Sequence, residues 1–282
     1  MIKHSDIPLE MSEIQQISLE ILKKITDICD REGFRYYLIY GTLIGAVRHR
    51  GFIPWDDDVD IIMPRPDHTR LFAFLKEHTD LLEVLKLKVF SRENVPGYKY
   101  GIPRICDTRY IISTSNERDC GMGVFIDVYP LDGLGNSYEE AVTMMRESSF
   151  WLHRIANAIK KHIEIPRALN IKGKIVFMLN RFRDKLLGVK YLFAKQSKSI
   201  RKYNYSDSEY VGPVQWYFTK PEKVVFDKSI FEERIKLPFE KYEFYVPREY
   251  DRLLTQEYGD YMSFPPVEKR VYHHQYKAFR KD

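Results

Sequence analysis

Apolar residues recur at helical spacing near the start of the chain. Ile14, Ile17, Ile21, Leu22, Ile25, Ile28 and Cys29 share one face of a helix over residues 12–32. Ser12 with Gln15 predicts a capping box at its start, and Gly33 supplies its stop. The apolar run Tyr36–Tyr40 predicts a strand. Gly41-Thr42 then turns the chain into Leu43–Val47, which has the length of a short helix. From Asp58 the period changes. Asp58, Val59, Asp60 and Ile61 alternate acid and apolar, as a strand running to Met63 does when one face is buried. Pro66 opens a helix whose Leu71, Phe72, Phe74 and Leu75 cover that sheet.

The pattern downstream is strand-rich, then helical. Strands are predicted at Val84–Phe90, Tyr98–Ile105, Tyr110–Ser113 and Val124–Val128, separated by Asn94, Pro96, Gly97, Gly121 and Gly123. Residues 137–163 read as a helix, with Val142, Met145, Phe150, Trp151, Leu152, Ile155 and Ile159 as its apolar face. Beyond Pro166 a basic amphipathic segment is broken near Gly188. The C-terminal third mixes short strands and turns, punctuated by Pro213, Pro221, Pro238 and Pro247. A last helix runs from Pro247 to Tyr258 and stops at Gly259. This mixture is α+β architecture.

Composition adds bounds. With 282 residues, 44% hydrophobic and 14% aromatic, the chain can bury a sizeable core and is not disordered. Its three cysteines, Cys29, Cys106 and Cys120, are scattered, which fits a reducing compartment and excludes a zinc motif. Neither a signal peptide nor a membrane-spanning window is visible, so a cytoplasmic location is expected. The net charge of +5 is uneven: residues 171–203 hold ten Lys or Arg and one acid, a local +9 that leaves −4 elsewhere. Such local charge favours a surface or ligand role for that segment over general nucleic-acid affinity. The segment could lie on anionic membrane at the inner face, or pack on the sheet with a solvated basic face; the second is the ordinary outcome for an internal amphipathic helix.

The chemistry concentrates in one stretch. Asp56, Asp57, Asp58 and Asp60 are four acids within five residues, and acids this close repel unless cations are near. On a strand Asp58 and Asp60 share a face and can share a hard cation such as Mg²⁺ or Mn²⁺. A calcium loop does not fit: Ile61 stands where that loop needs Gly, and Asp67 where it needs Glu. A solvated acidic turn is the bland alternative, but the apolar alternation around Asp58 and Asp60 argues against it. Upstream, Gly41 and Thr42 open a helix whose free N–H groups suit a phosphate, and Arg48, His49 and Arg50 can neutralise more charge.

Strand, Gly-Thr, short helix and Asp-x-Asp form the layout of the nucleotidyltransferase superfamily. The string Gly41-Thr42-Leu43-Ile44-Gly45-Ala46-Val47-Arg48-His49-Arg50-Gly51-Phe52-Ile53-Pro54-Trp55-Asp56-Asp57-Asp58-Val59-Asp60-Ile61 closely resembles the signature of the LicD family of phosphocholine transferases, which includes the fukutin-like proteins. Two later blocks support the resemblance: Phe125 to Gly133, and Tyr258-Gly259-Asp260-Tyr261-Met262 with Pro265-Pro266. It implies a nucleotidyltransferase-like mixed sheet over residues 1–135, a helical basic subdomain over 136–205, and a C-terminal segment, 206–282, packing back on the core. It also implies a third acid, for which Asp127 is the candidate, against the alternative of an Asp capping a turn. Asp132 reads as a turn residue before Gly133. Arg104, ahead of Asp107-Thr108, is implied as a phosphate contact; otherwise it is an exposed strand arginine.

The expected reaction is transfer of phosphocholine from CDP-choline to a hydroxyl of a cell-surface glycan or glycolipid precursor, of teichoic acid or lipopolysaccharide type, with release of CMP. Asp58, Asp60 and Asp127 would hold the metal, with Asp127 also a possible proton acceptor. Gly41, Thr42, Arg48 and Arg104 would orient the phosphates. A choline cage would draw on Tyr40, Trp55, Tyr98, Tyr100, Trp216 or Tyr217. Alternatives are another CDP-alcohol such as CDP-ribitol, nucleotidylation from an NTP, and a non-catalytic CDP-alcohol-binding scaffold. His273-His274 could contact phosphate or metal, although adjacent side chains on a strand face apart. The remaining histidines, among them His4, His68, His78, His153 and His162, show no ligand spacing.

Overall fold

The computed structural model describes residues 7–282 apart from 97, 115–119, 161–164, 166–168, 201, 217 and 271–275. His273, His274 and Tyr217 therefore lie outside the described residues, as do His4 and His162. The fold is α+β, as the pattern predicts.

Helix α1 (Met11–Glu32) buries the face predicted for it and ends at Gly33, whose left-handed φ of 71° closes the cap. Its capping box lies two residues earlier than expected. Glu10 is the N-cap and exchanges hydrogen bonds with Glu13, so Ser12 lies inside the helix. Strand β1 (Tyr37–Leu38) is shorter than its apolar run. Helix α2 (Tyr40–Ile44) follows at once and continues as a π-helical turn, Gly45–His49. Strand β2 (Asp60–Pro64) starts at Asp60, so Asp58 precedes the strand rather than opening it. Helices α3 (Arg65–Glu77) and α4 (Thr79–Val84) come next; Val84 closes a helix, and β3 (Leu87–Phe90) begins beyond it.

Of the run Tyr98–Ile105 only the end is strand, because Gly101 and Pro103 disfavour a regular ladder; β4 spans Arg104–Asp107. Strand β5 (Tyr110–Thr114) matches its expected span. Strand β6 (Phe125–Gly135) is longer than predicted and is buried throughout its 11 residues. Asp132 is thus no turn residue. It sits inside β6, and both its oxygens accept hydrogen bonds from Arg65 at 2.6 Å.

Helix α5 (Tyr138–Ile159) is capped by Ser137. Helix α6 (Ile171–Ile200) breaks at Gly188, φ 78° and ψ 152°. The rest comprises β7 (Tyr210–Gly212), β8 (Phe226–Asp227), the hairpin β9 (Arg234–Phe239) and β10 (Tyr242–Pro247), helix α7 (Tyr250–Tyr258) and β11 (Tyr276–Arg280). Helix α7 starts at Tyr250, beyond Pro247, and Gly259 ends it as expected.

The sheet has the order β1-β2-β6-β4-β3, with β7 paired to the far half of β6 and β8 to β7. Strands β2 and β6 are parallel, with Asp60 opposite Asp127; β4 and β6 are antiparallel, with Arg104 opposite Asp127. These registers place two acids and an arginine in one row across three central strands. Helices α1 and α3 pack on this sheet.

Helix α6 has an inverted pattern. The face toward α5 is polar: Arg181 donates to the carbonyls of Asn157 and Lys160, and Asp184 is ion-paired with Arg154. Ile171, Ile175, Leu179, Phe182 and Leu186 form a stripe at helical spacing that is exposed, at 78%, 53%, 63%, 64% and 72%. The ordinary outcome of an apolar face packed inward does not hold for this half of the helix. No helix among the described residues is long and apolar enough to cross a membrane.

Candidate active site

Strand pairing brings the acids together. Asp58, Asp60 and Asp127 each offer a carboxylate oxygen, and those oxygens lie within 4.8 Å of one another. Asp60 and Asp127 are buried, and Asp58 is half-buried. Asp56, Asp57 and Asp58 form a second group of the same size, so Asp58 belongs to both.

The backbone around them is held from several sides. Thr42 Oγ1 accepts from the Asp60 N–H at 2.9 Å, Ile39 N–H donates to the Asp60 carbonyl, and Asp127 N–H donates to the Val59 carbonyl. The acidic loop is pinned by Gln15 of α1, which donates to the Asp56 carbonyl at 2.9 Å, and by the Tyr276 hydroxyl, which donates to the Asp57 carbonyl. Gly41 leaves room for Asp56: a Cβ there would lie 2.3 Å from Asp56 Oδ2. The glycine thus admits a carboxylate beside α2.

Electrostatically the row is unbalanced. Burial raises the Asp60 carboxyl well above the usual carboxylate range. Asp58, Asp127 and Asp56 add to this, and Arg104 opposes it. Asp60 Oδ1 is buried and has no hydrogen-bond partner. An orphaned buried oxygen beside two more carboxylates is the donor set a hard divalent cation takes, so the residues fit Mg²⁺ or Mn²⁺.

Arg104 faces Asp127 with two hydrogen bonds, Nε to Oδ1 at 2.6 Å and Nη2 to Oδ2 at 3.2 Å. Tyr100 and Phe125 sandwich its guanidinium, each ring centroid 3.9 Å away. It is no exposed strand arginine; through Nε and Nη2 it anchors an acid. Both Asp127 oxygens accept from Arg104, which fixes the orientation of that carboxylate in the row.

Arg48 points elsewhere. It donates to the carbonyls of Tyr261 and Ser263 and stacks on Phe264, so it ties the π-helical turn to the segment after α7. His49 and Trp55 join the same cluster, where Arg270 lies 5.4 Å over the Trp55 ring. Tyr98 donates to the Ile102 carbonyl and packs against Tyr100, in support of Arg104. Of the aromatic candidates, Tyr40 and Trp216 are linked through the ring of Tyr129.

Glu257 and Phe218 were not singled out by the sequence pattern, and Tyr129 and Tyr258 entered only as members of the two blocks that support the resemblance. Tyr129 had a signal: it lies two residues beyond Asp127 on β6, hence on the same face. Burial and the charges of Asp60 and Asp127 both push its phenol up. Glu257 stands just before the closing block that starts at Tyr258 and carried no periodic mark.

The family model of the LicD/FKTN/FKRP nucleotidyltransferase domain matches residues 33–169, which hold Gly41, Thr42, Arg48, Asp58, Asp60, Arg104 and Asp127. The lipopolysaccharide cholinephosphotransferase LicD of Haemophilus influenzae is 30% identical over 279 residues, 96% of this chain and 98% of that protein. Uncharacterised proteins of Rickettsia typhi and Rickettsia prowazekii are 35% and 36% identical over 72 and 62 residues, 25% and 22% of this chain and 23% of each of those proteins. The chain is an enzyme, a transferase, and belongs to the LicD family.

Proposed function

We propose that the enzyme transfers phosphocholine from CDP-choline to a hydroxyl of a lipopolysaccharide-type glycolipid and releases CMP. The observation that carries this reading is the convergence of Asp58, Asp60 and Asp127, with one buried oxygen unpaired, in a chain similar end to end to a cholinephosphotransferase. Asp58, Asp60 and Asp127 would hold Mg²⁺ or Mn²⁺. Such an ion, when bound, neutralises diphosphate charge and eases departure of the nucleotide.

The chain's own residues supply the rest. Thr42 fixes Asp60, and Arg104 fixes Asp127 in the same row. The acceptor oxygen bonds to the phosphorus that carries choline, and the bridging P–O bond to the CMP phosphate breaks. Asp58, the least buried of the three acids, takes the acceptor proton.

A glycolipid acceptor lies in a membrane surface, and the exposed stripe of α6 is suited to reach it. Lys172, Lys174, Arg183, Lys185 and Lys190 accompany that stripe. An apolar face with basic flanks complements an anionic leaflet. We infer that α6 docks the enzyme peripherally on such a membrane.

The test of the reaction follows two labels, one in the choline methyl groups and one in cytidine. The proposal expects the choline label on the glycolipid and the cytidine label in CMP. Cytidine label on the acceptor, or pyrophosphate release from an NTP, would support nucleotidylation instead. Turnover of CDP-ribitol alone would move the reading to another CDP-alcohol.

A further inference from the structure

Beside the acid row lies a polar and aromatic cluster that holding a metal does not explain. Glu257 Oε2 is buried without a hydrogen-bond partner, and so is the hydroxyl of Tyr40. Burial and the charge of Glu257, then Tyr258 and Asp60, push the Tyr40 phenol up, so these groups share one neighbourhood. Tyr258 belongs to it too: its hydroxyl end is turned inward toward Glu257, Asp60 and Asp56, although 43% of the residue is exposed. Tyr129 lies 5.1 Å from Tyr40 between ring centroids, Phe218 6.2 Å from Tyr40, and Trp216 6.0 Å from Tyr129.

A buried carboxyl with an idle oxygen among aromatic rings is costly unless something cationic completes it. An ammonium would be expected to bring its own hydrogen-bond donors. The cluster instead sets the rings of Tyr40, Tyr129, Trp216, Phe218 and Tyr258 around a single carboxyl, and a surface made mostly of ring faces suits a cation sheathed in methyl groups. Its position also fits. Tyr129 and Asp127 share a face of β6, so a group attached to a phosphate at the acid row is presented to the rings.

We propose that Tyr40, Tyr129, Trp216, Phe218, Glu257 and Tyr258 form the subsite for a quaternary ammonium group, the trimethylammonium end of the donor. This rests on the phosphocholine reading and deepens it. Glu257 supplies the counter-charge by giving up its proton as the cation binds, and the rings supply the surface around the methyl groups. Tyr258, at the rim, flanks the way in.

The test compares binding of CDP-choline with binding of its isostere in which carbon replaces the quaternary nitrogen. Wild type is expected to prefer CDP-choline by about tenfold or more. Glu257→Gln and Trp216→Leu are each expected to lose most of that preference while binding CMP as wild type does, which reports an intact fold and nucleotide site. Variants that keep the wild-type preference overturn the subsite, even if choline label still reaches the acceptor and the phosphocholine reading stands. If wild-type protein does not bind CDP-choline but uses another CDP-alcohol, the reading itself fails and the subsite falls with it.

Discussion

Arg104 and Asp127 face each other across β4 and β6, and one guanidinium holds both oxygens of one carboxylate. Both side chains are almost fully buried, at 3% and 2% exposure. A buried pair with two bonds resists the loss of either partner more than the loss of both. Arg104→Met leaves Asp127 buried and without its partner and is expected to cost about 3–5 kcal/mol in denaturant unfolding. The double variant Arg104→Met with Asp127→Leu is expected to recover much of that and to remain inactive. A double variant no more stable than Arg104→Met would contradict this account of the pair.

Thr42 acts through Asp60. Its hydroxyl oxygen accepts the Asp60 N–H in a buried setting, so Thr42→Val strands that donor. The expected loss is about 1–3 kcal/mol of stability, with a fall in turnover. Thr42→Ser keeps the oxygen and is expected to stay near wild type in both. Equal effects from the two variants would point to the methyl group rather than the hydrogen bond.

The fold and the acid row were legible in the sequence for different reasons. Periodicity marked α1, β5 and the break at Gly188 because each rests on local pattern. The alternation of Asp58 and Asp60 pointed to one site even though Asp58 falls before the strand, since the Val59 carbonyl between them already accepts from Asp127 N–H on β6. Partners fixed by strand register were not legible. Nothing near Arg104 in sequence announces Asp127, and nothing near Asp132 announces Arg65. Glu257 was invisible because its surroundings come from α2, β6 and the segment after β7.

Glu257 also sets a pH dependence. Burial pushes its carboxyl from an ordinary 4.5 up to about 8; Lys223 opposes the rise, as does the hydrogen bond from Tyr258. Between those values the folded protein binds this proton more tightly than the unfolded chain. Stability therefore falls as pH rises from about 4.5 to about 8 and levels off above, with a slope of at most about 1.4 kcal/mol per pH unit. The phenols of Tyr40 and Tyr258, which face Glu257, stay neutral across this range because theirs are raised too. Unfolding of wild type and Glu257→Gln should diverge in slope over this window; parallel curves would contradict the assignment.

The stripe on α6 predicts lipid dependence. Wild-type protein is expected to float with vesicles that contain anionic phospholipid and to stay behind with neutral ones. Leu179→Asp with Phe182→Asp, both exposed, is expected to abolish flotation with little effect on stability. The same pair should leave CMP release to a water-soluble acceptor near wild type while lowering transfer to a vesicle-borne glycolipid. Flotation unchanged by the double substitution would remove α6 from membrane contact.

In the proposed reaction Asp60, with Asp58 and Asp127, builds a cation site in which the donor phosphate is transferred. The most direct test measures CMP release from CDP-choline and thermal unfolding in the same samples, with and without Mg²⁺, for wild type and Asp60→Asn. Wild type should gain stability with Mg²⁺ and release CMP in an acceptor-dependent way. Because Asp60 is buried among like charges, Asp60→Asn should be at least as stable without metal, show no Mg²⁺ response, and lose about a hundredfold or more in turnover. An Asp60→Asn protein that still responds to Mg²⁺ and turns over CDP-choline near the wild-type rate would contradict this role.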